Sequence, residues 1–295
     1  MNYLFKLSCL SLAVFFIVHT AAALCVNLIA PFALRAAARM RAHAAARFLL
    51  VIRLAPPGLA LFAVAALCLP SYLRFEPEAA AEAVGPICLI CAALAVLLLA
   101  RSLSRLVFAI RNTLAWLRRA EGANTIALAG FLRPRVIVAD AVVRALPGDE
   151  LDAVIRHERA HAASLDNWKR VLITLAPETL PFLAARFTLL EDAWKKFSEY
   201  SADDRAAAGD PADCVALASA LVRVARLGPA PAPSPLVTFL TEGDLAARVD
   251  RLLAGPQPGS PDRWTPVLLI AAIATLLLSP AALMPVHELL ECLMA

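Results

Sequence analysis

The chain has 295 residues, of which 61% are hydrophobic, and a net charge of +4 from 28 basic and 24 acidic side chains. Its mean hydropathy of +0.71 is too high for an ordinary soluble domain and calls for membrane-spanning segments. The small basic excess follows membrane topology rather than forming a nucleic-acid-binding patch.

Four runs approach the ~20 apolar residues that a bilayer core requires. Span one, about Leu4 to Leu34, is interrupted only by Lys6 and His19. Ala21-Ala22-Ala23 resembles a small-residue cleavage site, but the apolar run continues beyond it and only Lys6 precedes it. An uncleaved anchor is therefore expected. Span two, about Leu49 to Leu69, carries Arg53 near its start and Pro56-Pro57, where a kink is expected. Span three covers about Val84 to Ala100, and span four about Pro266 to Met284. Arg35, Arg39, Arg41 and Arg47 follow span one, and Arg101, Arg105, Arg111, Arg118 and Arg119 follow span three. The loop between spans two and three is acidic, with Glu76, Glu78 and Glu82. The alternation predicts an outside N-terminus, residues 105–262 in the cytoplasm and a short outside tail. The expected organisation is thus a membrane domain over 1–104, a cytoplasmic domain over 105–262, and a fourth span with its tail over 263–295. Five of the seven cysteines lie in or beside spans, and Cys88-x-x-Cys91 reads as two small apolar thiols rather than a redox pair.

Between spans three and four, Thr125–Ala129 and Arg135–Ala139 are short β-branched runs separated by Gly130 and Pro134, read as a small hairpin. Its edge either aligns an extended peptide or is purely structural. Leu146-Pro147-Gly148-Asp149 is a turn into a helix with Asp149 as the expected N-cap, and Leu151, Val154 and Ile155 give that helix an apolar stripe. The same helix contains His157-Glu158-Arg159-Ala160-His161. Imidazoles four apart stand one turn apart on one face and can reach a single Zn²⁺. Glu158 can then act as general base on a metal-bound water without being a ligand.

A catalytic zinc needs a third protein ligand. His19, His43 and His287 are poor candidates: the first and last lie in or beside spans, and His43 in a basic loop. Trp168 to Leu190 is apolar but broken by Pro177 and Pro181. Beyond it Glu199 and Asp203, four apart, share a helix face with small Ala202 between them. Glu199 can complete a His₂Glu set, and Asp203 can hold a ligand imidazole in one tautomer. Alone, the pair would read as a solvated acidic face beside Glu191, Asp192 and Asp204. Asp210-Pro211 starts a further helix to about Leu227, Pro229–Pro235 forms a stiff linker, and an amphipathic helix runs from about Glu242 to Ala254.

The pattern His157-Glu158-x-x-His161-x-x-x-x-Asp166 followed by Glu199-x-x-Ala202-Asp203 resembles the gluzincin membrane metallopeptidases, most closely the BlaR/MecR-type signal transducers and more distantly the HtpX-type proteases. Gly130–Val138 and Leu245–Leu253 are also similar to segments of that family, and the likeness in organisation covers about residues 85–285. The resemblance implies zinc ligands His157, His161 and Glu199, Glu158 as general base, and Asp166 and Asp203 as supporting residues. The penicillin-binding sensor domain of the transducers does not follow span four in this sequence, so a β-lactam receptor is not expected.

The expected protein is an integral membrane, mainly α-helical zinc endopeptidase of the bacterial inner membrane, with a cytoplasmic α+β zincin-like domain. Its expected partners are the bilayer and a protein substrate, such as a cytoplasmic repressor cleaved in signalling, with no direct nucleic-acid contact. The alternatives are a quality-control protease for membrane proteins and a non-catalytic transducer with a zinc-binding domain. Neither Tyr200 nor Arg205, both near Glu199 in sequence, can be assigned the role of oxyanion stabiliser.

Overall fold

The computed structural model describes residues 3–75, 84–117, 126–129, 135–178, 181–227, 238–239, 244–255 and 288. The fourth expected span, the hairpin turn at 130–134, the proline-rich linker and His287 lie outside the described residues.

Four helices make up the N-terminal region: α1 (Tyr3–Ala37), α2 (Ala42–Phe62), α3 (Leu69–Phe75) and α4 (Pro86–Leu117). The stretches Tyr3–Ala37, Ala42–Phe75 and Pro86–Ala115 are each long and apolar enough to cross a membrane. All three exceed the apolar runs read from the sequence. Past Ala100, for instance, Leu103, Val107, Ile110 and Leu114 continue at helical spacing and stay exposed on α4. Pro56 and Pro57 lie inside α2. The described departure from α-helical hydrogen bonding comes further on, in the π-helical turn Ala63–Cys68. Cys9, Cys68 and Cys88 are free and buried in one apolar cluster with Tyr72, Cys91 packing at its edge.

The expected hairpin is present as β1 (Ile126–Ala129) and β2 (Arg135–Val138), antiparallel, with Ile126 opposite Val138. A third strand, β3 (Thr238–Phe239), pairs with the other edge of β1 and gives the order β2-β1-β3. The sequence did not announce it, because two residues are too short to show alternation. It leaves β1 with no open edge and β2 at the rim of the described sheet.

The remaining helices are α5 (Asp140–Ala145), α6 (Gly148–Ser164), α7 (Asp166–Leu175), α8 (Pro181–Ala207), α9 (Pro211–Arg226) and α10 (Leu245–Leu253). Asp149 is not the N-cap of α6. Extended Pro147 holds that position without a side-chain cap, and the helix starts two residues early, which puts Asp149 and Glu150 in its first turn at the positive dipole end. Asp210 does cap α9, accepting from the Ala212 amide at 2.8 Å, and Asp244 caps α10 through the Ala247 amide at 3.2 Å.

Helix α8 is shared by two cores. Phe187, Leu190 and Trp194 pack with Ile173 of α7 against Ala23, Val26 and Ala30 of α1 and Ala45, Ala46 and Leu49 of α2. The run of alanines lets these helices approach closely. About three turns past Trp194, Ala206 and Ala207 join Ile126, Val154, Leu217, Leu221 and Leu252 in the core under the sheet. Arg53 of α2 is buried and fastens the first core: its Nε donates to Glu191 Oε1 at 2.7 Å, and its guanidinium lies over the Phe187 ring. Arg105 of α4 donates to the carbonyls of Thr174 and Ala176 at 3.0 and 2.8 Å and pairs with Glu178, which satisfies the orphan C-terminal end of α7.

Candidate metal centre

His157 and His161 project from one face of α6, and Glu199 and Asp203 from the facing side of α8. All four are buried, and buried Ala202 between the acids keeps the crossing tight. The two Nε2 atoms are 3.1 Å apart. His157 Nε2 lies 3.5 Å from Glu199 Oε2, and His161 Nε2 lies 3.4 Å from Glu199 Oε1. Candidate ligand atoms of the three residues all fall within 4.8 Å of one another.

Each imidazole turns its other nitrogen to a carboxylate. His161 Nδ1 is 2.7 Å from Asp166 Oδ2. His157 Nδ1 is 2.9 Å from Asp203 Oδ1, a close charge contact that lacks the alignment of a good hydrogen bond. Asp166 reaches its place through Leu165, which ends α6 and begins α7 in a left-handed conformation with φ 57°. A leucine there costs on the order of 1–3 kcal/mol, and the reversal folds Asp166 back onto the imidazole five residues behind it. Ser198 Oγ and Lys169 Nζ complete the hold on Asp166 at 2.8 and 2.7 Å.

Arg248 of α10 lies in the segment Leu245–Leu253 but was given no role from the sequence. Although fully buried, it donates through Nε and Nη2 to the two oxygens of Asp203 at 2.9 and 2.7 Å, and its Nη1 is 3.1 Å from Glu199 Oε2. The available signal was its place on the apolar stripe of α10, between Leu245 and Leu252 and beside Val249. Tyr200 packs under the Arg251 guanidinium, 4.9 Å from its ring centre, and Arg205 donates to Ser164 Oγ at 2.7 Å.

The charges of the site hold one another. Burial works against every ionised form, but His161 and Arg248 keep Glu199 well below the usual carboxylate range, and Arg248 and His157 lower Asp203. Against the same burial, His161 and Lys169 bring Asp166 down to about 2. In return, Glu199 and Asp166 lift His161 to about 10, and Asp203 and Glu199 raise His157. Glu158 behaves oppositely: burial dominates and raises its pKa.

These donors fit a metal ion. A tetrahedral ion with bonds of about 2.0–2.1 Å has ligand–ligand edges of about 3.3 Å, close to the 3.1, 3.4 and 3.5 Å separations. Neither oxygen of Glu199 accepts a hydrogen bond, and neither does either oxygen of Glu158. Buried carboxylate oxygens left without donors are costly, and a cation facing them removes that cost. The set of two imidazoles and one carboxylate is one that zinc favours.

Residues 123–228 match peptidase family M48. M48 enzymes are metallopeptidases, and the matched stretch contains all six of the site residues expected from the sequence: His157, Glu158, His161, Asp166, Glu199 and Asp203. Arg248 lies beyond it, and the M48 match therefore does not cover the guanidinium that closes the cluster. No curated protein and no solved structure matches the chain.

Proposed function

We propose that this chain is a membrane-embedded zinc endopeptidase in which His157, His161 and Glu199 hold the metal and Glu158 is the general base. The observation that carries the reading is the meeting of three buried donors beside a further buried carboxylate, Glu158, whose two oxygens accept no hydrogen bond. Zinc, when bound, supplies Lewis acidity toward a water and the scissile carbonyl. The Glu158 carboxylate takes the proton of the attacking water and returns it to the leaving amine nitrogen. Burial raises its pKa, a shift in the direction that helps a carboxylate both accept and donate a proton. Asp166 and Asp203 fix the Nδ1 side of each ring, which leaves both Nε2 atoms turned to the centre. Arg248 offsets the negative charge of Asp203 and Glu199. An extended substrate has the rim strand β2 on which to align by backbone pairing.

The basic loops support a peptidase site on the cytoplasmic side of a bacterial inner membrane. The substrate proposed is a cytoplasmic regulator, cleaved when the membrane helices sense a stimulus. The test is Glu158→Gln in the full chain. Zinc stays bound at one per chain while cleavage falls by about 10²–10⁴-fold, the usual worth of a general base. Fragments present in wild-type cells and absent from Glu158→Gln cells identify the substrate. A variant that still cleaves at the native rate refutes the assignment.

A further inference from the structure

On the far side of the His161–Asp166 pair lies a cavity of about 170 Å³ that the peptidase reading does not use. Its wall joins the first two turns of α2 (His43, Ala46, Arg47) to the end of α6, the start of α7 and the second half of α8. The lining is basic and rich in hydroxyls. Arg47, Lys169 and Arg205 stand around Ser164, Ser198 and Ser201, with Asp166 as the sole carboxylate.

That carboxylate is already engaged by His161, Lys169 and Ser198. Arg205 donates to Ser164 Oγ at 2.7 Å and has no acidic partner among the described residues. Arg47 is exposed and has neither an ion pair nor a hydrogen bond among them. Two guanidinium groups thus open on one concave, hydroxyl-lined space, and neither has a carboxylate partner among the described residues. Guanidinium forks and hydroxyls together make a donor set for a tetrahedral oxyanion.

Position narrows the anion further. His43 and Arg47 sit at the start of the apolar stretch Ala42–Phe75, directly after the turn that joins it to α1. Arg35, Arg39 and Arg41 crowd the same turn. With those helices spanning a bilayer, a basic recess at their end would lie at headgroup depth, where anionic lipids collect.

We propose that this cavity binds a phosphate group, either the phosphodiester of an anionic phospholipid headgroup or soluble phosphate, through Arg47 and Arg205 with the serine hydroxyls. The site does not depend on the peptidase reading, since neither arginine touches His157, His161 or Glu199 and the readout below is ligand binding.

The test uses the full chain, purified in a neutral detergent and titrated separately with phosphatidylglycerol, with phosphatidylcholine and with inorganic phosphate, bound ligand being counted by native mass spectrometry. One saturable phosphatidylglycerol per chain is expected, with phosphatidylcholine binding at least tenfold more weakly. Arg47→Gln/Arg205→Gln should weaken the bound anion about tenfold or more, as loss of charge-assisted donors does. Arg35→Gln/Arg39→Gln removes the same charge from the same turn without touching the cavity and should leave the affinity within about twofold of wild type. Arg47→Gln alone, at an exposed and unpaired position, gives the same reading should the double variant fold poorly. Binding of phosphatidylglycerol with little binding of inorganic phosphate assigns a headgroup; comparable binding of inorganic phosphate assigns the free anion. No saturable binding of either, or equal losses in the cavity variant and the control, overturns the proposal.

Discussion

Replacing Arg248 with methionine keeps most of the side-chain volume and removes the charge that faces two buried carboxylates. Arg248, Asp203 and Glu199 are each about 1% exposed, so water cannot take the place of the guanidinium. Stripping one partner from such a cluster costs about 3–5 kcal/mol, a large share of the ~5–15 kcal/mol that holds a domain together. At ~2–4 °C per kcal/mol for a domain of this size, the unfolding midpoint of the metal-free protein should fall by roughly 6–20 °C. With zinc present the loss should be about half as large, because the ion takes over the neutralisation of Glu199 and only Asp203 is left short of its partner. Arg248→Lys should fall between, keeping the charge but not the two-pronged contact with Asp203. The assay is tryptophan-monitored thermal unfolding of the full chain in detergent, with zinc and with chelator. A chelated Arg248→Met protein within about 3 °C of wild type would refute the reasoning, and so would equal losses in the two conditions.

Asp166→Asn should lower zinc affinity about 10–100-fold, since the amide no longer polarises the Nδ1 side of His161; competition with a chromophoric chelator measures it. The same carboxyl also gives a pH signature in metal-free protein. Its pKa is depressed from 3.8 to about 2 in the folded chain, so the associated stability, about 2 kcal/mol, is present above pH ~4 and lost as pH falls from there through ~2. Acid-unfolding curves of the chelated wild type should show this loss and those of Asp166→Asn should lack it; superimposable curves would count against the ion pair.

The meeting of His157, His161 and Glu199 was legible because helix geometry is written locally. Spacing of four places His157 over His161, and Glu199 over Asp203, whatever the rest of the chain does. Burial was not legible in the same way. Arg248 reads as one more charged position on an amphipathic helix, and its partner Asp203 lies 45 residues away. Arg53 reads as a topology signal at the start of a span, yet it is buried and spent on Glu191, which the sequence offered as part of a solvated acidic face. Asp204 from the same acidic run is taken by Arg251 at 2.6 Å. The helix ends drifted for a related reason: hydropathy marks where lipid-like side chains stop, whereas the backbone of α4 continues to Leu117 as long as its hydrogen bonds are made. The strand β3 and the left-handed Leu165 depend on tertiary placement that no short window of sequence carries.

Glu191 and Glu199 sit eight residues apart on one unbroken helix, about 12 Å at 1.5 Å per residue. The first is gripped by Arg53 of the second apolar stretch, and the second faces the imidazole pair. Such a rod transmits an axial push with little loss. A slide of that stretch by a single ångström would therefore shift Glu199 against the imidazole pair by a similar amount, several times the few tenths that the bond lengths of a metal site tolerate.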